Sequence, residues 1–138
     1  MEYVTHSEKE TIDLGIDFGK KAKNNSIYCF SGELASGKTT FIKGFVSGAT
    51  GYPIEDVNSP TFTYLNVYKN NKTVYHFDLY RIDTSEEFFM MGFDEYFDIG
   101  GICCIEWSEK ISEILPHEYT AINLFHYKEN SRKIVIDP

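Results

Sequence analysis

CFSGELASGKTTFIKGF, residues 29–45, contains the spacing G-x-x-x-x-G-K-T, with Gly32, Gly37, Lys38 and Thr39 at the defining positions. The pattern signifies a phosphate-binding loop when it follows a strand and opens a helix. Both flanks meet that requirement. SIYCFS, residues 26–31, is a short apolar run that reads as a buried strand, and residues 38–47 read as a helix carrying Phe41, Ile42, Phe45 and Val46, closed by Gly48 and Gly51. The two loop glycines let the backbone turn its N–H groups inward toward phosphate oxygens. The helix adds its positive N-terminal end. Lys38 then reaches the terminal phosphates, and the Thr39 hydroxyl is a magnesium ligand.

Magnesium also needs carboxylate oxygen, normally from an acid at the end of a neighbouring strand. Asp78 ends the apolar run TVYHFD (73–78), and Glu106 ends ICCIE (102–106). One such acid holds the metal and another can position an attacking water; the residues themselves do not assign the roles. DIGG, residues 98–101, has the D-x-x-G spacing of a GTPase switch, but no apolar strand leads into it and it reads as a turn. NKTV, at 71–74, lacks the aspartate of a guanine-reading N-K-x-D, so adenine is the expected base. The four histidines have no metal-ligand spacing, and His76, inside a strand, reads as a structural hydrogen-bonding group.

With 138 residues, 42% hydrophobic and 16% aromatic, the chain is expected to fold as one domain with a sizeable core. Its net charge of −8 and scattered lysines disfavour direct nucleic-acid binding. Cys29, Cys103 and Cys104 lack C-x-x-C spacing and read as packed thiols suited to a reducing compartment. The polar N-terminus and the lack of a long apolar run point to a cytoplasmic protein.

Elsewhere the pattern predicts a helix over residues 7–23, opened by a Ser7/Glu10 capping box, with Leu14, Gly15, Phe18 and Ala22 on one face. It predicts a strand over 61–68, a turn at 70–72 and a strand ending at Asp78. A short helix follows, capped by Thr84 with Glu87 at the box position. A strand over 101–107 comes next, then a brief helix over 108–115 stopped by Pro116, and a closing hairpin of strands 119–127 and 133–137. The expected class is α/β: a P-loop NTPase-like three-layer sandwich with a mixed, largely parallel central sheet.

GELASGKTTFIKGF, NSPTFTY, VYHFDLYRI, EEFFMMGFDEYF and ICCIEW follow one another at a spacing that resembles the TsaE (YjeE) family. These are small bacterial P-loop ATPases needed to make threonylcarbamoyladenosine in tRNA. The resemblance covers nearly the whole chain. It implies ATP and Mg²⁺ as bound groups and weak hydrolysis in isolation. The implied partners are TsaD-like and TsaB-like proteins, which transfer threonylcarbamoyl to adenosine 37. Carried across, it implies that Glu33, Leu34, Ala35, Ser36, Gly37, Lys38 and Thr39 wrap the phosphates, with Thr40 beside them. Thr39 and Glu106 would hold Mg²⁺, and Asp78 would face the γ-phosphate or the metal's water shell. Ser59-Pro60-Thr61 would form a switch-like loop, and Trp107, Ser7 and Arg132 would lie against the nucleotide. Ala35 stands where many relatives have glycine.

The functional reading is a slow ATPase with Lys38, Asp78 and Glu106 as catalytic groups. Only two arginines, Arg81 and Arg132, could complete the site from within. A small-molecule kinase would need an arginine-bearing lid and more chain. A nucleotide-driven switch in which hydrolysis is incidental is the other alternative.

Overall fold

The computed structural model describes residues 1–33 and 36–138. In chain order the elements are β1 (Glu2–Thr5), α1 (Glu8–Lys21), β2 (Ile27–Gly32), α2 (Lys38–Thr50), β3 (Leu65–Lys69), β4 (Thr73–Asp78), α3 (Ser85–Met90), β5 (Ile102–Glu106), β6 (Thr120–His126) and β7 (Arg132–Asp137). The strands form one sheet in the order β1-β7-β6-β2-β5-β4-β3. The four inner strands β6, β2, β5 and β4 are mutually parallel. Antiparallel pairings of β3, β7 and β1 complete the two sides. This is the mixed, centrally parallel sheet that the element pattern implied.

Strand alternation sorts the core into two layers. Phe30, Val74, Ile102, Cys104, Ile122 and Leu124 face α1 and α2, against Phe41, Ile42, Phe45 and Val46. Cys29, Tyr75, Phe77, Cys103 and Ile105 face the opposite side, where Phe88, Phe93, Tyr96 and Phe97 pack around Phe77. Adjacent Cys103 and Cys104 therefore project into different layers, and all three thiols are free and buried. Burial raises the Cys29 pKa to about 11 and that of Cys103 to about 12, so both are packing groups rather than nucleophiles. In the run FFMM only Phe88 is buried, while Phe89, Met90 and Met91 are exposed.

Several boundaries differ from those the pattern implied. A four-residue strand, β1, precedes α1 and pairs with β7, a long-range contact invisible in so short a polar segment. Residues 61–64 form a turn, and β3 starts only at Leu65; the β-favouring residues Thr61 to Tyr64 are diverted by the Tyr64 N–H bond to the Pro60 carbonyl and a positive φ at Tyr64. Residues 108–111 make only a short 3₁₀ turn. Ser7 caps α1 by accepting from the Glu10 N–H, but the Glu10 carboxylate reaches back to the His6 N–H rather than to Ser7.

Gly48 does not end α2, which continues to Thr50 and is capped by Gly51. Its role is contact. Gly15 and Gly19 of α1 and Gly44 and Gly48 of α2 face one another so closely that a methyl at any of them would run into a carbonyl of the partner helix. The glycines thus draw the two helices together and fix the position of α2, whose first residue is Lys38. Replacing Gly44 by Ala should gain about 1 kcal/mol of helix propensity. It also places Cβ against the Ile12 backbone, which no rotamer change relieves. The expected net result is a loss of about 1–3 kcal/mol, read as a fall of several degrees in thermal midpoint.

Candidate functional site

The C-terminal ends of parallel strands are where open α/β sheets bind ligands, and here β2, β4 and β5 all end at one place. β2 runs out at Gly32 and the chain re-enters helix at Lys38. Gly37 sits at φ +91, the left-handed region that glycine adopts without strain. A Cβ on Gly32 would meet the Ser36 hydroxyl and the Leu124 carbonyl, so the strand end must also be glycine. Ser36 is buried, donates its N–H to the Glu33 carbonyl, and has a hydroxyl with no hydrogen-bond partner among the described residues.

α2 carries no acid in its first turn, whereas α1 begins with Glu8 and Glu10 and α3 with Glu86 and Glu87. The positive end of α2 is therefore left uncompensated. Lys38 adds a full charge there, and its ammonium stands 3.5 Å from Glu106 Oε1 and 5.4 Å from the centre of the Trp107 ring.

Register brings the acids together. In the parallel β4–β5 pair, Asp78 is the partner of Glu106 and His76 the partner of Cys104. These side chains share the face that looks toward α2, because Cys104 and Val74 belong to that layer. His76 Nε2 lies 2.8 Å from Glu106 Oε2. Burial acts to raise the Glu106 pKa, but the hydrogen bond and charge of His76, together with Lys38, outweigh it, and the carboxylate lies below its ordinary value. Asp78 goes the other way. Burial, helped by the charge of Glu106, raises its pKa despite the hydrogen bond from the Tyr80 N–H. Two neighbouring acids are thus set apart in proton affinity.

The sequence-derived residues largely converge. Thr39 and Glu106 line one narrow crevice, together with Ile42, Lys43, Val57, Asn58, Ser59 and His76. Ser7 and Arg132 reach the loop from the far edge of the sheet: with His6, Thr11, Gly37 and Thr40 they bound an open groove of about 450 Å³. The Arg132 stem packs beside Gly37, and its guanidinium donates to the Ser131 carbonyl. Trp107 follows Glu106 in a left-handed conformation (φ 64) and packs on Tyr80, with ring centres 5.1 Å apart. Glu33 is exposed just past the end of β2. Leu34 and Ala35, assigned to nucleotide contact, lie outside the described residues. Arg81 is exposed and stacks on the Phe62 ring at 4.6 Å. DIGG is a bend, with Gly100 at φ +93.

His76 makes the hydrogen bond expected of it inside a strand, and its partner is one of the site's acids, Glu106. The available signal was its period-two spacing from Asp78, which puts both on one face of β4. Among the described residues no group of three or more His, Cys, Asp or Glu side chains is arranged to hold a metal, and no helix is long and apolar enough to cross a membrane.

The raised Asp78 pKa carries a test. A carboxyl whose folded pKa lies above its ordinary value destabilises the fold while ionised; the effect is full above the raised pKa and vanishes below 3.8. Asp78→Asn, which can still accept from the Tyr80 N–H, should therefore raise the thermal midpoint of the ligand-free protein at pH 7. That advantage should shrink as pH falls toward 4, measured by thermal unfolding across pH.

Comparison with known proteins bears on the same arrangement. The profile of the family described as "Threonylcarbamoyl adenosine biosynthesis protein TsaE" matches residues 5–134. A protein of Treponema pallidum, named tRNA threonylcarbamoyladenosine biosynthesis protein TsaE, is 37% identical over 137 residues, 99% of either chain. A protein of the same name from Bacillus subtilis is 41% identical over 115 residues, 82% of this chain and 70% of that one. Among solved structures, the crystal structure of Bacillus subtilis YdiB superposes with a TM-score of 0.79 at 30% identity, covering 97% of this chain and 82% of the other. With a profile match over most of its length and relatives at this level of identity, the chain belongs to the TsaE family.

Proposed function

We propose that this protein binds ATP with Mg²⁺ at the connection from β2 to α2 and hydrolyses it slowly. It would do so as an accessory ATPase in the synthesis of threonylcarbamoyladenosine at adenosine 37 of tRNA, working with TsaD-like and TsaB-like proteins. The observation that carries the reading is the meeting of Lys38, at the uncompensated N-terminus of α2, with Glu106, 3.5 Å away at the end of β5. A cationic cradle beside a held carboxylate suits a phosphate chain with its metal.

The residues fit the absent groups. Ser36 presents a buried hydroxyl without a partner among the described residues, and Gly32 leaves space that a methyl would fill. Magnesium is typically held by one or two protein oxygens plus phosphates rather than by an all-protein cage, which matches Thr39 and Glu106 on one crevice. When bound, the ion neutralises charge on the β- and γ-phosphate oxygens.

The chain's own contributions follow from its geometry. The loop N–H groups and Lys38 stabilise the charge that builds as the terminal phosphoryl group leaves the β-phosphate for water. Glu106, kept ionised, faces the metal position. Asp78, with its higher proton affinity, orients the attacking water. Ser7, Thr40 and Arg132 bound the groove beside Gly37, which would take the nucleoside, and Trp107 flanks Lys38. Arg81 is engaged with Phe62, so turnover in isolation should be slow, on the order of 10⁻² per second or below.

Four measurements check this. Lys38→Ala should weaken ATP binding about 10–100-fold by calorimetry. Glu106→Gln should retain metal-free nucleotide binding and lower the hydrolysis rate about 100–1000-fold. Rapid turnover by the isolated wild-type protein, tens per second, would defeat the reading. Co-purification with TsaD-like and TsaB-like proteins should depend on whether ATP, ADP or no nucleotide is supplied. Indifference to all three would remove the partner assignment.

A further inference from the structure

We propose that His76 is the positioning residue of the site: its Nε2–H fixes Glu106 Oε2 so that Oε1 alone is presented toward Lys38 and the Thr39 crevice. The inference rests on the reading of Glu106 as a metal-facing carboxylate and adds the group that sets its orientation.

His76 is only 2% exposed, and it sits on the face of β4 that supplies apolar side chains to the layer under α2. A histidine kept there for packing alone would be a poor choice. Its Nδ1 is buried with no hydrogen-bond partner among the described residues, a penalty that leucine or phenylalanine in the same place would avoid. What the imidazole supplies and an apolar side chain cannot is the 2.8 Å bond to Glu106.

The geometry gives that bond a consequence. The terminal torsion of a glutamate is broad, so a carboxylate at a strand end turns readily unless something holds it. Glu106 is held at both oxygens, by His76 at Oε2 and by Lys38 at Oε1. The two anchors are unequal. Lys38 stands at a longer 3.5 Å on a flexible stem, and the phosphates would compete for it. His76 is locked in the sheet two residues before Asp78, its Nε2 bonded to Glu106. When Lys38 turns to an anion, His76 still holds the carboxylate. Hydrogen-bonded partners of metal-ligating groups typically change metal affinity 10–100-fold when removed.

A pair of polar substitutions separates positioning from packing. His76→Gln places an amide N–H near the Nε2 position and can still hold Glu106. His76→Asn reaches only as far as Nδ1 and cannot. Nucleotide affinity is measured by calorimetry for wild type and both variants, with Mg²⁺ varied and with EDTA, alongside thermal unfolding. In His76→Asn the Mg²⁺ concentration for half-maximal enhancement of nucleotide binding should rise about 10–100-fold. Affinity in EDTA should not change, and His76→Gln should stay near wild type. Equal behaviour of the two variants, or a loss of EDTA affinity parallel to the Mg²⁺ effect, overturns the proposal and leaves His76 a packing residue. Should wild type itself show no Mg²⁺-dependent nucleotide binding, the underlying functional reading fails instead, a result distinct from the first.

Discussion

A carboxylate buried at the end of the central sheet stays ionised only if charge and hydrogen bonds replace the water it has lost. Glu106 is in that position, and Lys38 and His76 supply the replacement. Much of the architecture can be understood as what is needed to assemble these three groups. Lys38 must stand at the first residue of α2, Glu106 at the last residue of β5, and His76 must arrive from β4 in register. A slip of one residue in β4 would send His76 and Asp78 into the opposite layer and bring Phe77 to the acid.

The rest of the fold serves that alignment through backbone approach. The glycines of α1 admit α2 to a distance at which side chains would collide, which sets where Lys38 stands relative to the strand ends. The aromatic cluster around Phe77 fills the other layer and fixes β4 from behind. Asp78 is anchored in turn. Its N–H donates to the Tyr64 carbonyl, and the following Leu79 N–H donates to the Glu106 carbonyl, so Tyr64, Asp78 and Glu106 share one backbone hydrogen-bond network. A displacement of residues 60–64 would thus be felt at both acids.

The two acids illustrate how environment divides like groups. Both end parallel strands and both are largely removed from water. Glu106 meets two nitrogen groups and is held ionised, whereas Asp78 is answered chiefly by one backbone N–H and gains proton affinity. Composition gives no hint of that difference, because it comes from which partner occupies the neighbouring strand. The division of labour proposed for them follows from it.

Much of this was legible in the residues themselves. The spacing of Gly32, Gly37, Lys38 and Thr39 between an apolar run and an amphipathic helix encodes a local structure, and local structure needs no distant partner. The same holds for the caps at Ser7 and Thr84 and for the acids that end two apolar strands. What lay beyond reach was long-range. The pairing of β1 with β7 and the close contact of four glycines across two helices both join residues far apart in the chain. So did the part played by His76: its type and strand position were plain, but its value depends on Glu106, thirty positions away, facing it across a parallel pair. The sequence by itself determined the local elements and the chemistry available to each, because backbone propensity and side-chain type act within a few residues. Only the tertiary structure decided which of those groups meet, because strand order and register bring together residues whose separation in the chain carries no signal of contact.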